Sequence, residues 1–326
     1  GWDDTLYGED GNDGILGGEG DDELLGAQGH DMLFGDHGSM NFHSNGRFLE
    51  GRADQPHLGG TDILRGGIGN DHAAGGSGAD FVYGDSGADY LFGDNGWFSF
   101  HSDGDREHVS ESHPRIGADD EVYGGSGDDV IGGGFGDDVL RGDEDADVIF
   151  GDHFQAVFDD DGNRTEIVSS SLDLGGDDDI EGGSGDDVLL GGAHADYVKG
   201  QDGDDILFGE HGRLTYTDGV LTGHEELPAQ GQSDGADILV GGEGDDTFYS
   251  DPSDTVHEDD EPSAFTAGGP GGLNGAGVGG HGGLAGVNGG GAGGGVQGPV
   301  APLGGGAAGG ANGAGGANGA GGANGA

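Results

Sequence analysis

Aspartate returns every nine residues in this chain, set among glycines. Residues 8–16, 17–25 and 26–34 align as nonapeptides, the middle one reading GGEGDDELL. Further sets of three occupy residues 66–92, 124–150 and 182–208, and residues 241–249 add one more, for thirteen complete units. Position six is aspartate in every unit, and position eight is apolar, as in Ile15, Leu24, Leu33, Ala73, Val82, Leu91, Ile131, Leu140 and Ile149. Glycine permits positive φ and exposes backbone carbonyls, while one hard carboxylate per unit supplies the charge that Ca2+ favours in an all-oxygen shell. The chemistry to which this pattern points is cation binding, repeated along the chain.

Other chemistry is poorly supported. His224, Glu225 and Glu226 look like half of a zinc-protease helix, but Pro228 stands where the second histidine belongs. His101, His108, Glu111 and His113 fall within one segment and would suit a transition metal only if they converged; solvated loop histidines are the commoner case. His37, His153 and His211 share one position in three related segments, where a solvated imidazole is expected. No catalytic residues are expected, and the chain is not read as an enzyme.

Composition narrows the classes further. The 326 residues include 85 glycines, 65 Asp and Glu against 9 Lys and Arg, and no cysteine, for a net charge of -56. Such a charge excludes nucleic acid as a partner and makes the chain depend on a positive counterpart for compaction. The only lysine is Lys199, so no phosphate loop of the Gly-Lys-Ser/Thr type exists, and the apolar runs are too short for a membrane-spanning helix. Without cysteine there is no disulfide scaffold and no thiolate zinc site.

The pattern GGxGxDxUx resembles the RTX (repeats in toxin) calcium-binding nonapeptide, over roughly residues 1–249. The resemblance implies an all-β fold: a parallel β-roll, or β-helix solenoid, in which two nonapeptides make one coil. The glycine-rich half turns, and the xUx half forms a short strand whose position-eight side chain points into a thin core. It also implies multiple Ca2+ ions as cofactors, each between neighbouring turns of one edge. Proteins of this kind are secreted or held at the cell surface, typically by type I secretion, and fold outside the cell. The expected function is therefore calcium ion binding in a Ca2+-triggered folding, spacer or adhesion segment. The alternative is an accessory C-terminal region of a secreted hydrolase or toxin whose catalytic domain lies outside this chain.

A longer period sits above the nonapeptide. Segments beginning GDHG at Gly35, GDNG at Gly93, GDHF at Gly151 and GEHG at Gly209 start 58 residues apart, and each ends by restoring position six. Three intact units separate successive insertions, so in a coil of two units every insertion falls on the same edge. The opposite edge is unbroken and carries Asp13, Asp31, Asp71, Asp89, Asp129, Asp147, Asp187, Asp205 and Asp246. The interrupted edge carries Asp4, Asp22, Asp62, Asp80, Asp120, Asp138, Asp178, Asp196 and Asp237, with its occupancy by calcium left open.

The elements that must hold these aspartates follow from the same pattern. Domain organisation reads as a roll over 1–249, an acidic boundary segment at 250–266 and a glycine-rich low-complexity tail at 267–326. Half of the tail's sixty residues are glycine and none is charged, so it reads as a flexible spacer. The insertions, near 39–58, 97–116, 155–174 and 213–233, each centre on Asn45-Gly46, Asp103-Gly104, Asp161-Gly162 or Asp218-Gly219, the strongest short hairpin signal. Phe42 and Phe48, Phe98 and Phe100, Phe158 and Ile167, and Tyr216 and Leu221 give each hairpin an apolar side. Successive hairpins are two coils apart, about 10 Å, close to the spacing of face-packed sheets, so stacking is expected. The stack either buries these aromatics or displays an edge to a cell-surface or matrix ligand.

Overall fold

The computed structural model describes residues 1–55, 57–228 and 235–258. The tail, residues 259–266 of the boundary segment and the end of the fourth insertion lie outside the described residues.

All regular structure among the described residues is β. Strands alternate between two parallel sheets as the chain coils. The first sheet has ten strands, running in order from Thr5–Asp10 to Thr255–His257; the second has nine, from Gly14–Leu16 to Thr247–Tyr249. Position eight stays in register from coil to coil: Leu24 lies opposite Leu64, Leu64 opposite Val82, and Val122 opposite Leu140. These side chains meet those of the second sheet, such as Leu33, Leu91, Ile131 and Ile149, in an inner core with no exposure to solvent. Burying each contributes about 1.5–3 kcal/mol. The protein is thus a parallel β-roll, two nonapeptides per coil, as the repeat implies.

The four insertions form hairpins on one side. Their strands are Gly38–Phe42 with Phe48–Ala53, Gly96–Phe100 with Arg106–Glu111, Phe154–Phe158 with Arg164–Ser169, and Gly212–Thr217 with Val220–Glu226. They do not stack face to face. Each hydrogen-bonds edge to edge with the next, Phe98 opposite Gly51, Val109 opposite Ala156 and Ile167 opposite Leu214, making one eight-stranded antiparallel sheet. The geometry explains the difference: two coil rises equal two strand spacings as well as one sheet spacing, so a two-strand hairpin every two coils tiles a continuous sheet. The glycine at each tip takes a positive φ, from 75° at Gly162 to 101° at Gly104, as such turns require.

This hairpin sheet covers the outer face of the second parallel sheet. Phe34, Phe92, Phe150 and Phe208 at position nine, with Tyr90, Val130 and Val148 at position seven, pack against Phe98, Phe154, Ile167 and Leu214. Phe154 stacks between Phe92 and Phe150, with ring centroids 4.9 and 5.0 Å away. The molecule therefore has a second core beyond the one that position eight forms, and it is the richer in aromatics. Tyr216 is buried and Trp97 half-buried against His108, so packing of the joined hairpin sheet on the roll encloses most of the hairpin aromatics.

Candidate metal centres

Each position-six aspartate ends a glycine-rich turn and begins a strand, which points its carboxylate along the roll axis at the preceding turn. On the unbroken edge, Asp31 Oδ1 accepts the Asp13 N–H, Asp71 Oδ1 that of Asp31, and the chain of bonds continues through Asp89, Asp129, Asp147, Asp187 and Asp205 to Asp246, at 2.7–3.0 Å. The interrupted edge carries the same chain from Asp4 through Asp22, Asp62, Asp80, Asp120, Asp138, Asp178 and Asp196 to Asp237, at 2.7–3.0 Å. The insertions thus leave the aspartate ladder continuous, because each returns to the turn before position six.

One oxygen of each interior carboxylate is used in this way, and the other is not. Oδ2 of Asp13, Asp22, Asp31, Asp62, Asp71, Asp80, Asp89, Asp120, Asp129, Asp138, Asp147, Asp178, Asp187, Asp196 and Asp205 is buried and makes no hydrogen bond. An ionised oxygen withdrawn from water without a partner is costly. Burial accordingly raises interior carboxyls of both ladders, Asp62, Asp71, Asp129 and Asp187 to about 7, Asp205 to about 6, and Asp89 and Asp147 to about 9, with the Oδ1 hydrogen bond opposing the rise. At the ends of the ladders the sites open, Asp4 being exposed and Asp246 half-buried.

The turn glycines bring oxygens to the same places. A Cβ on Gly8 would stand 2.9 Å from Asp13 Oδ2 and 2.8 Å from the Gly26 carbonyl oxygen, so a larger residue would fill the space between carboxylate and carbonyl. Among the described residues no three His, Asp or Glu side chains form a metal cluster by themselves. Carboxylate oxygens supplemented by backbone carbonyls are a donor set suited to a hard cation with flexible coordination, which is what Ca2+ is and Zn2+ is not. A bound Ca2+ would supply the positive charge that the unpartnered Oδ2 atoms face.

The histidine readings change. His153 and His211 are buried rather than solvated, because their segments lie under the hairpin sheet. His153 Nε2 contacts the Pro114 carbonyl oxygen at 2.7 Å and Glu111 Oε2 at 3.2 Å, and burial pulls the imidazole down to about 4. His37 alone of the three is partly open. His101, His108, Glu111 and His113 do not converge: His108 lies on Trp97 and contacts Ser110 Oγ, and His113 contacts Ser112 Oγ.

Two kinds of residue escape a strict nonapeptide reading. Asp254 continues the interrupted edge, its Oδ1 accepting the Asp237 N–H at 3.1 Å. Its turn is one residue short, which hides it from a search at fixed spacing, yet Asp254-Thr255-Val256-His257 repeats the aspartate–x–apolar–x signal. Position two of the insertion turns, glycine in the motif, is Asp36, Asp94, Asp152 and Glu210, all buried. Asp36 is satisfied there by Ser77 N and Oγ, both at 2.7 Å, and by Gly60 N.

A family model for the RTX calcium-binding nonapeptide repeat, in copies of four, matches residues 3–36, 58–91, 117–140, 123–152, 174–212 and 233–254. Comparison with curated proteins finds no match. Among the described residues no helix is long and apolar enough to cross a membrane.

Proposed function

The chain belongs to the RTX calcium-binding nonapeptide repeat family, and from that premise we propose that it is a Ca2+-triggered folding and spacing segment of a secreted or surface protein, able to serve adhesion. The observation that carries this reading is the pair of continuous aspartate ladders, each interior member with one buried oxygen lacking a hydrogen bond. The position-six aspartates are the proposed ligands, on the interrupted edge as well as the unbroken one.

Without cation, a net charge of -56 and stacked buried carboxylates oppose compaction, so the chain stays expanded. Millimolar extracellular Ca2+ replaces that repulsion with bridges between turns, and because each turn contacts its neighbours, folding spreads along the roll. The roll so formed has a regular rise per coil, which suits a spacer.

The test is hydrodynamic. Small-angle scattering of the chain in chelator and then in millimolar Ca2+ is expected to show a contraction from an expanded coil, reversed on chelation. An unchanged radius of gyration between the two conditions excludes the calcium-triggered role.

A further inference from the structure

Where the second hairpin leaves the roll, carboxylates gather that no nonapeptide accounts for. Asp94 stands at position two of an insertion turn. In intact turns an acid at that position takes a positive φ and lies at the surface, as Asp85 (68°) and Asp143 (79°) do. Asp94 does not share that backbone conformation and is 1% exposed. Its Oδ2 accepts the Phe135 N–H at 2.6 Å, whereas Oδ1 is buried and makes no hydrogen bond. The side chain packs on Gly117 and Gly134, where a Cβ would collide with its carboxylate.

Glu111 reaches the same place from the hairpin sheet, as the last residue of the strand Arg106–Glu111. Its side chain is 3% exposed, its Oε2 faces His153 Nε2 at 3.2 Å, and its Oε1 is buried without a hydrogen bond. The charges that act on Asp94 are, in order, those of Asp120, Glu111 and Asp138. At the same register position the other hairpins carry Ala53, Ser169 and Glu226, and Glu226 is exposed, so only at this junction is that acid buried.

A hydrogen-bonded Glu–His pair does not account for this arrangement. If Glu111 is ionised, Oε1 is a buried charge with no counterpart; if it is protonated there, it is a buried donor with no acceptor. Asp94 Oδ1 poses the same problem beside it. A cation between them resolves both, and the His153 contact at Oε2 leaves Oε1 directed elsewhere, the way an outer-shell histidine orients a ligand.

We propose that Asp94 and Glu111, which the nonapeptide motif does not provide, join the position-six Asp120 of the same turn in holding a Ca2+ ion at the root of the second hairpin. This rests on the calcium-binding function proposed above. Among the described residues no three such side chains form a metal cluster by themselves, so backbone carbonyls would complete the shell, as on the ladders. Its consequence is mechanical: one ligand belongs to the roll and another to the hairpin sheet, so the ion fastens the sheet to the roll.

Calcium titration of the whole chain against a chromophoric chelator, with far-UV circular dichroism at saturation, tests this in the native protein, E111Q, D94N and E107Q. Glu107 is an exposed acid on the same strand as Glu111. E111Q and D94N are each expected to lose one ion, or to weaken one site at least about tenfold, with E107Q unchanged. Native stoichiometry and affinities in E111Q and D94N overturn the proposal while leaving the general calcium reading intact. No calcium uptake by the native chain defeats both. If the variants do not reach native strand content in calcium, terbium titration of W2F, otherwise native, decides. Trp97 is then the one tryptophan, beside Gly96, which pairs with Glu111, and an absence of Trp97-sensitised terbium emission overturns the site.

Discussion

Asp129, at the middle of the unbroken edge, separates the two tasks that the account assigns to one carboxylate. Its Oδ1 accepts the buried Asp89 N–H at 2.7 Å, and its Oδ2 is buried without a hydrogen bond. Asp129→Ala removes both. Leaving the Asp89 N–H unsatisfied costs about 1–3 kcal/mol. Losing one calcium site that is occupied at a hundred times its Kd costs about 2.7 kcal/mol more. The total is roughly 4–6 kcal/mol. Asp129→Asn keeps an acceptor for the N–H and loses only the ion, about 3 kcal/mol. Asp128→Ala removes an exposed oxygen that accepts the Ala146 N–H at 3.3 Å, worth under about 1 kcal/mol. Calcium midpoints of strand formation, with urea unfolding at saturating calcium, should rank the variants in that order. Equal midpoints for Asp129→Ala and Asp128→Ala would refute the register and reassign every ligand by one residue. If Asp129→Asn is as damaging as Asp129→Ala, the N–H ladder adds nothing.

Other outcomes follow from the same geometry. The buried carboxyls rise to between about 6 and 9 in the metal-free roll, against an ordinary value near 4, so the roll binds more protons than the unfolded chain. Its metal-free stability should be greatest below about pH 4 and fall as pH rises from there through 9, while calcium affinity, which needs ionised carboxylates, rises; circular dichroism in chelator at pH 4 and pH 8 checks the first, and equal signals contradict it. Phe154→Ala should cost about 3–5 kcal/mol at saturating calcium, read by urea unfolding, because the ring is fully buried between Phe92 and Phe150. Spin labels at residues 46, 104 and 162 should give successive distances of about 10 Å along one side, two strand spacings each; tips on opposite sides would exclude the shared hairpin sheet.

The roll was legible because its signal is periodic. Position six fixes the turn and position eight fixes the inner core, so thirteen units in register leave little freedom, and the parity of the insertions places all four hairpins on one side. The second core was written less plainly. Strands following unbroken-edge turns read Met32-Leu33-Phe34, Tyr90-Leu91-Phe92, Val148-Ile149-Phe150 and Ile206-Leu207-Phe208, apolar on both faces. Strands following interrupted-edge turns are mixed: Glu23-Leu24-Leu25, Glu121-Val122-Tyr123 and Asp179-Ile180-Glu181 carry a charge beside the middle position, whereas Phe81-Val82-Tyr83 and Ile238-Leu239-Val240 do not. Runs apolar on both faces mark a sheet covered on both sides, but the mixed strands of the other sheet blur the contrast, so the hairpin cover was only partly legible. Edge-to-edge joining was harder to foresee, since two strand spacings and one sheet spacing have nearly the same length. The burial of Asp94, Glu111 and His153 had no sequence signal of its own, because it arises where residues from successive insertions meet under the hairpin sheet.

The central claim is that calcium closes the aspartate ladders and thereby folds the chain. The most direct measurement is far-UV circular dichroism of the chain at neutral pH during a titration from excess chelator to millimolar Ca2+, with bound ions counted at the end point. The account predicts a coil in chelator, a cooperative change to strand as calcium rises, and several ions bound per chain. Native strand content persisting in excess chelator at neutral pH, or strand formation with no calcium bound, would contradict it.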